Sequence, residues 1–570
     1  MNFWERALDP DVQKRVQAWL DGPFDAETKA EIHRLISENS KELSNAFFKD
    51  LSFGTGGMRG IMGIGTNRMN IYTIRIATQG LANYLNEQPQ PENGYTVFIG
   101  YDVREHSRLF AEETARVLAG NAIQAFISKE ICPTPLVSFA CRYLACSSAI
   151  VITASHNPPQ YNGYKVYWSD GGQVVPPHDT GIMNEAHKVE TIHLAPLDSP
   201  LIQWVGREID EAYLKELRPL KLLPKINGEA LHIVYSNLHG TGIRIIPEAL
   251  KQQGYGQIAL VEPQLPLDGK FTNAPSPNPE EEKALEIGMR QLMDTGADLL
   301  LATDPDADRI GVVVRDGNNA VRLTGNQTAC ICLEHICSCL KMKGEFPENA
   351  GFIKTIVTTE LFKRIAEDFG GTCIDVLTGF KYIAEMIRLW ENSFDGLQYI
   401  FGAEESYGCL FGTFVRDKDA ISACCLVAEA AAFAKTNHQT LVEKLYEIYR
   451  KYGMHRESLT SLTFTDSSAG LKKIETLMQK LRFHPPSSLG NLEIVKMEDY
   501  LNGSMPLPQS DVLRFWLSDG SKLVIRPSGT EPKIKIYAEV MGECGEDMQD
   551  SIRFYDERLK QLVDHFQQEI

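Results

Sequence analysis

Apolar residues return along this chain in two rhythms, and the switching between them predicts its elements. In "DPDVQKRVQAWL" and "DAETKAEIHRLI", near the start, they recur every third or fourth position, as on one face of a helix. Residues Ile71 to Leu85 repeat that spacing. "YTVFIGYD" (95–102) is instead a short run of β-formers, which predicts a buried strand. A helix over "RLFAEETARVLAGNAI" (108–123), a strand in "QAFISKE" (124–130) and a third strand in "SSAIVITASHNP" (147–158) follow. Strands alternating with helices predict a parallel sheet within an α/β layer arrangement.

The alternation restarts twice. "ALHIVYSNLHGTG" (230–242) is a strand and a glycine loop, followed by a helix through Ala249 and Leu250. "IALVEP", a helix at 280–295 and "ADLLLATDPDADRIGVVVRD" (297–316) complete that unit. A third unit runs through a helix at 326–342, "GFIKTIVTT", "GTCIDVLTGFKYIAEMI" and "LQYIFGAEESYG". The last part differs. "SLTSLTFTD", a helix and "VLRFWLSDGSKLVIRPSGTEPKIKIYAEV" read as paired strands with helices, a smaller α+β unit. The expected domains are 1–210, 211–325, 326–452 and 453–570. No period of about 20–50 residues points to a solenoid.

Composition narrows the function classes. With 43% apolar residues, the 570-residue chain has ample material for several cores. Its formal charge of −18 repels nucleic acid and anionic membranes, so neither is an expected partner. A phosphorylated small molecule would need local basic clusters. Cys330, Cys332, Cys337 and Cys339 crowd one apolar stretch without zinc-ligand spacing, so they read as small hydrophobes in a buried helix. Free thiols, a charged N-terminus without a signal-peptide core and the absence of a long apolar window predict a cytoplasmic protein.

Five stretches carry candidate chemistry. The strand in "VITASHNPPQYNGYK" delivers Ser155 to a turn at a sheet's carboxyl end, where ligands bind in open α/β sheets. Adjacent side chains usually diverge, so Ser155 and His156 are not expected to pair, and the G-x-S-x-G elbow is absent. A phosphate-carrying serine is the other use, with Lys165 as a nearby cation. In "ATDPDADRIG", Asp304, Asp306 and Asp308 are three close carboxylates, a hard-oxygen set suited to Mg²⁺. Arg309 and Arg315 occupy the positions where an EF-hand needs Gly and Glu. In "FGAEESYG", Glu404 and Ser406 stand two apart and are expected to face one side of an extended loop, offering acceptors to vicinal sugar hydroxyls. In "RPSGTEPK", Arg526, Ser528, the Gly529 amide and Thr530 form a donor set for an anion, with Lys535 adding charge. "TGFKYIAEM" starts a helix after Thr378 and Gly379, which favours an anion there, with Lys381 as a donor. "GTGGMRG" (54–60) lacks the Walker lysine and serine and is no P-loop.

Taken together and in this order, "TASHNP", "DPDADR", "EES" and "RPSGTEPK" resemble the four signatures of the α-D-phosphohexomutase superfamily. "NGYKVYW", "PPHD" and "DKDAISA" are similar to its phosphoglucomutase-2 and phosphopentomutase-like branch. The resemblance spans nearly the whole chain. It implies an α/β protein of four domains around a central cleft, three related mixed α/β domains and a C-terminal α+β domain. It further implies Ser155 as a phosphoserine, with Asp304, Asp306 and Asp308 as Mg²⁺ ligands completed by that serine. Glu404 and Ser406 would bind sugar hydroxyls, and Arg526, Ser528, Gly529 and Thr530 the distal phosphate. Arg59 and Lys165 resemble the proton-transfer and phosphate-stabilising positions, with Arg309 and His156 alongside. The implied reaction interconverts glucose 1-phosphate and glucose 6-phosphate through glucose 1,6-bisphosphate, which also serves as activator. Phosphomannomutase and phosphopentomutase activities stay open, because Gly408 stands where some bacterial members carry a histidine. A Mg²⁺-dependent sugar phosphatase and a non-catalytic sugar-phosphate sensor are the other classes. Small sugar phosphates are the expected partners, and the expected state is a monomer or weak dimer.

Overall fold

A computed structural model describes residues 8–51, 53–54, 57–464, 468–528 and 533–569. Three mixed α/β sheets and one antiparallel sheet follow one another along the chain. The first three share a four-stranded unit. In the first sheet, Thr96–Tyr101, Gln124–Ser128, Ser148–Ile152 and Tyr161–Trp168 are laid out so that the first strand lies between the second and third, and the fourth pairs outside the third. Ile233–Ser236, Ile258–Leu260, Leu299–Thr303 and Ile310–Asp316 repeat that order in the second. Ala350–Thr355, Thr372–Val376, Gln398–Glu404 and Gly408–Phe411 repeat it in the third.

The sheets are not purely parallel. In each unit the first three strands run parallel and the fourth returns antiparallel. The reason is the length of the connection. A parallel return needs a crossover of about a dozen residues, whereas residues 153–160, 304–309 and 405–407 each close a short hairpin. The third strand of each unit is buried along almost its whole length, as its apolar run predicts for a strand covered on both faces. All three hairpins therefore emerge at the carboxyl end of a rigid central strand.

The C-terminal sheet is antiparallel throughout, with Met454–Thr463 and Ser488–Leu489 at its edges. The N-terminal helices Pro10–Asp21, Ala26–Glu38 and Ser40–Phe47 build a small core of their own around Trp19, Leu43 and Phe47. They grip the segment after the Arg59 strand, through Arg68 to Glu42 (2.7 Å) and the Asn67 N–H to the Ala46 carbonyl (2.9 Å). The four clustered cysteines lie buried on helix Gly325–Lys343, packed as hydrophobes. Among the described residues no helix is long and apolar enough to cross a membrane.

The glycine loop of the second unit props the acidic hairpin. The Thr241 N–H donates to the Pro305 carbonyl at 2.8 Å, and a Cβ on Gly240 would lie 2.4 Å from Pro305 Cα. Backbone meets backbone there, so neither side can rotate away. Gly240→Ala is expected to destabilise the protein by about 1–3 kcal/mol, the usual cost of overpacking, read as a lowered denaturation midpoint.

Candidate active site

The three hairpins converge. Each turns through one non-glycine residue in the left-handed region: Ser155 (φ 52°), Ala307 (φ 54°) and Tyr407 (φ 65°). Backbone bonds lace them together. The Ile310 N–H donates to the Tyr407 carbonyl (3.0 Å), the Ala420 N–H to Ala307 (3.2 Å), and the Thr134 N–H to Asp306 (2.8 Å). The acidic turn is thus held by the first and third units at once.

Ser155 is buried, and its hydroxyl donates to Asp304 Oδ2 at 2.8 Å. The same Oγ lies 3.1 Å from His156 Nδ1, so the two neighbours do pair, against the expectation from the sequence. The left-handed Ser155 backbone is the reason, since it departs from the extended geometry that sends adjacent side chains to opposite faces. Burial, followed by the Arg309 and Arg59 charges, holds the His156 pKa well below its ordinary value. Arg59 reaches the serine loop by donating to Asn157 Oδ1 at 2.7 Å.

Asp304, Asp306 and Asp308 are all buried, with one carboxylate oxygen from each within 4.8 Å of the others. Burial raises Asp304 well above the usual carboxylate range, and its two acidic neighbours add to the shift. Burial pushes Asp306 up as well, but Lys165, with Nζ 3.1 Å from Asp306 Oδ2, outweighs it and holds that carboxyl low. Lys418 does the same for Asp308 at 3.1 Å, and Thr134 Oγ1 donates to Asp306 at 2.9 Å. Among the described residues, Asp306 Oδ1 and Asp308 Oδ1 nonetheless find no hydrogen-bond partner. Two buried acceptors without donors, in an all-oxygen acidic trio, fit a hard divalent cation. Arg309 pairs with Glu280 at 2.5 Å and keeps its Nε 3.8 Å from Asp308 Oδ1.

Glu404 closes the third central strand and accepts the Gly379 N–H at 2.9 Å. That bond ties the hairpin over 405–407 to the loop of Thr378 and Gly379. Gly379 has φ 121°, a backbone open to glycine, and caps helix Phe380–Glu391. Ser406 lies in a tight turn over 405–407, not in an extended loop. The turn is short because Glu404 pairs directly with Gly408. Lys381 is buried and faces Asp179, in the first turn of helix His178–His187, at 3.5 Å. Arg526 and Lys535 are cross-strand partners, and the Ser528 N–H donates to the Lys533 carbonyl at 2.8 Å. Gly529 and Thr530 lie outside the described residues. Burial, then Arg526, lowers the Lys535 pKa, and Glu405, Arg309 and Glu280 are its other electrostatic neighbours, so the C-terminal hairpin faces the same cleft.

Two site residues escape motif reading. Lys418 bridges the acidic hairpin and the end of the Glu404 strand, 3.1 Å from Asp308 and 3.9 Å from Glu404. Thr134 reaches Asp306 from 172 positions away in sequence. Lys418 stands in "DKDAISA", which the sequence marks as a branch likeness without pairing it to the acidic turn, and Thr134 has no such signal.

Glu405 points away from the trio and accepts a hydrogen bond from Thr355 Oγ1 at 3.2 Å. Burial, then the Glu404 charge, pushes its pKa from 4.5 up to about 7. The folded chain thus keeps this proton where the unfolded chain has lost it. The resulting stability is full below about pH 4.5 and is lost as pH rises through about 7. Glu405→Gln, which keeps the neutral form, is expected to melt with wild type near pH 4.5 and above it near pH 8. Scanning calorimetry at both values checks this; an equal gap at the two would contradict it.

Comparison with known proteins agrees along most of the chain. The phosphoglucomutase/phosphomannomutase family models match in order: alpha/beta/alpha domain I over residues 50–193, domain II over 211–317, domain III over 324–452 and the C-terminal domain over 465–545. A phosphoglucomutase of Staphylococcus haemolyticus is 35% identical over 540 residues, covering 91% of this chain and 95% of the relative. A phosphoglucomutase of Staphylococcus aureus is 35% identical over 543 residues, covering 92% and 95%. In fold, the chain is similar to the open form of parafusin, a phosphoglucomutase of Paramecium, with a TM-score of 0.68 at 18% identity, over 91% of this chain and 96% of that one. A phosphoglucomutase/phosphomannomutase family protein of Burkholderia thailandensis gives a TM-score of 0.65 at 19% identity, over 90% and 97%. With four domain types matched in order and the hairpins of three of them gathered on one buried acidic trio, this chain belongs to the phosphoglucomutase/phosphomannomutase family of the α-D-phosphohexomutase superfamily.

Proposed function

We propose that this protein is a phosphoglucomutase, interconverting α-D-glucose 1-phosphate and glucose 6-phosphate with Ser155 as phosphoryl carrier. The observation that carries this reading is the Ser155 hydroxyl, 2.8 Å from Asp304, at a buried trio with two oxygens that accept no hydrogen bond from the described residues. The name shared by the 35%-identical relatives supports glucose as the sugar. Each unit contributes one loop to the cleft, with joints near residues 210, 325 and 452.

Asp304, Asp306 and Asp308, with an oxygen on Ser155, would hold Mg²⁺, whose small size and preference for oxygen suit this donor set. When bound, the ion neutralises charge on the transferring phosphoryl group. The rest falls to the chain's own residues. The bond from phosphorus to Ser155 Oγ breaks, a bond from phosphorus to a sugar hydroxyl oxygen forms, and that hydroxyl's proton leaves to a base in the cleft. Lys165 at the acidic trio and Arg59 at the serine turn offset charge as it shifts. Glu404 and Ser406 hold the sugar hydroxyls. Arg526, Ser528, Gly529, Thr530 and Lys535 hold the phosphate that is not reacting. The 1,6-bisphosphate turns over within the cleft and returns its other phosphoryl group to Ser155. Glucose 1,6-bisphosphate from solution would prime an unphosphorylated serine. Twelve free cysteines, eleven of them buried, support a cytoplasmic setting.

Intact mass is expected to show about +80 Da, absent in Ser155→Ala. Ser155→Ala is expected to lose about 10³-fold or more of isomerase activity in a coupled assay with glucose 1-phosphate. Chelation should abolish turnover and Mg²⁺ restore it. Release of inorganic phosphate in place of isomer would make the protein a phosphatase. No turnover of glucose, mannose, glucosamine or ribose phosphates would make it a sensor.

A further inference from the structure

We propose that Arg104 is the positioning residue of the Ser155 turn, holding the serine in the left-handed backbone that aims its hydroxyl at the acidic trio. This rests on the reading of Ser155 as phosphoryl carrier. Arg104 lies in the loop after the first strand of the first unit, and its side chain is 0% exposed. A buried guanidinium has five N–H groups to satisfy, and here all five are used. Nε donates to Asp102 Oδ2 at 3.2 Å. Nη1 donates to the carbonyls of Pro158 (2.8 Å) and Tyr161 (3.1 Å). Nη2 donates to the carbonyls of Ser155 and Asn157, both at 2.5 Å. Three carbonyls of the serine loop and that of Tyr161, which opens the next strand, thus converge on a single cation.

The other side of Ser155 is held through the same pair. Its N–H donates to Thr153 Oγ1 at 2.8 Å, and Thr153 Oγ1 donates to Asp102 Oδ2 at 2.7 Å. Asp102 also accepts from Ser107 Oγ at 2.7 Å and from the Arg104 N–H at 3.0 Å. Both peptide groups flanking Ser155 are therefore anchored to the Asp102–Arg104 pair. A serine at φ 52° is disfavoured by about 1–2 kcal/mol and persists only where its surroundings over-determine it. Phe271 of the second unit covers the pair, its ring 4.9 Å from the guanidinium. None of these contacts involves Glu404, Arg526 or the other substrate-facing residues. Arg104 therefore acts on the orientation of the transferring oxygen and leaves sugar binding alone.

A lysine keeps the charge but offers three donors from a single point and cannot span four carbonyls. Arg104→Lys is expected to lower kcat about 100-fold, the effect of roughly an ångström of misplacement, with KM for glucose 1-phosphate within about twofold of wild type. The ratio of phosphate released to isomer formed should rise, because a misaimed phosphoserine is left to water. Thr153→Val removes the acceptor of the Ser155 N–H and is expected to lower kcat in the same pattern, with Thr153→Ser restoring it. Wild-type kcat in a folded Arg104→Lys protein, or a loss carried mainly by KM, would overturn the proposal. Should Arg104→Lys not fold, the threonine pair decides: equal kcat in Thr153→Val and Thr153→Ser overturns it. A wild-type protein without the +80 Da species, active as Ser155→Ala, would instead remove the carrier reading beneath it (mass increment about 80 Da).

Discussion

Three carboxylates share one dry space in this protein, and their mutual repulsion is the constraint around which the cleft is organised. Asp304, Asp306 and Asp308 are buried, so water cannot screen them. Positive charge has to come from elsewhere. The chain supplies Lys165 from the first unit and Lys418 from the third, each 3.1 Å from one carboxylate. Among the described residues the trio still retains two oxygens without a hydrogen-bond donor, which suits a cation's charge and coordination. Because the compensating lysines come from different units, the acidic hairpin is electrostatically complete only when those units are docked.

The same hairpin topology is used three times for three tasks. One turn presents a hydroxyl, one presents carboxylates and one presents a carboxylate and a hydroxyl together. In each case a rigid buried strand ends at a turn with one left-handed non-glycine residue. Such a residue is tolerated where surrounding bonds fix it, and these turns are bonded to one another as well as to their own sheets. Precision at the site thus comes from strand ends and interlocked turns, not from long loops.

The fourth domain is attached by a different device. Lys522 pairs with Glu360 (2.6 Å) and Glu539 (3.1 Å), while Lys354 pairs with the same Glu360 at 2.9 Å. His455 and Thr359 both reach Glu539 Oε1 at 2.8 Å. These groups are largely buried, so each charge depends on its partner staying in place. Charge pairing of this kind fixes orientation more narrowly than an apolar contact, and the Arg526–Lys535 hairpin needs a fixed orientation to face the hairpins of the other domains.

Hydrophobic rhythm alone located most helices and strands, because burial on one face or both imposes a period that residues such as Ile150 and Leu300 obey. The joint resemblance of four motifs singled out Ser155, the acidic trio and Glu404, because each short stretch taken alone reads equally well as a polar turn, and the fold brings these turns together. The direction of each fourth strand was not legible, because hairpin and crossover differ in connection length more than in composition. Nor was the Ser155–His156 contact, which depends on a single backbone angle set by bonds from Asp102 and Arg104. Lys418, Thr134 and Glu280 became site neighbours only on folding, since charge compensation acts through space and leaves no spacing rule in the chain. What the sequence by itself determined is which residues can do the chemistry and which segments form the elements beneath them. What tertiary structure alone decided is which charges meet, because Coulomb and hydrogen-bond partners are chosen by the docking of separate units in space.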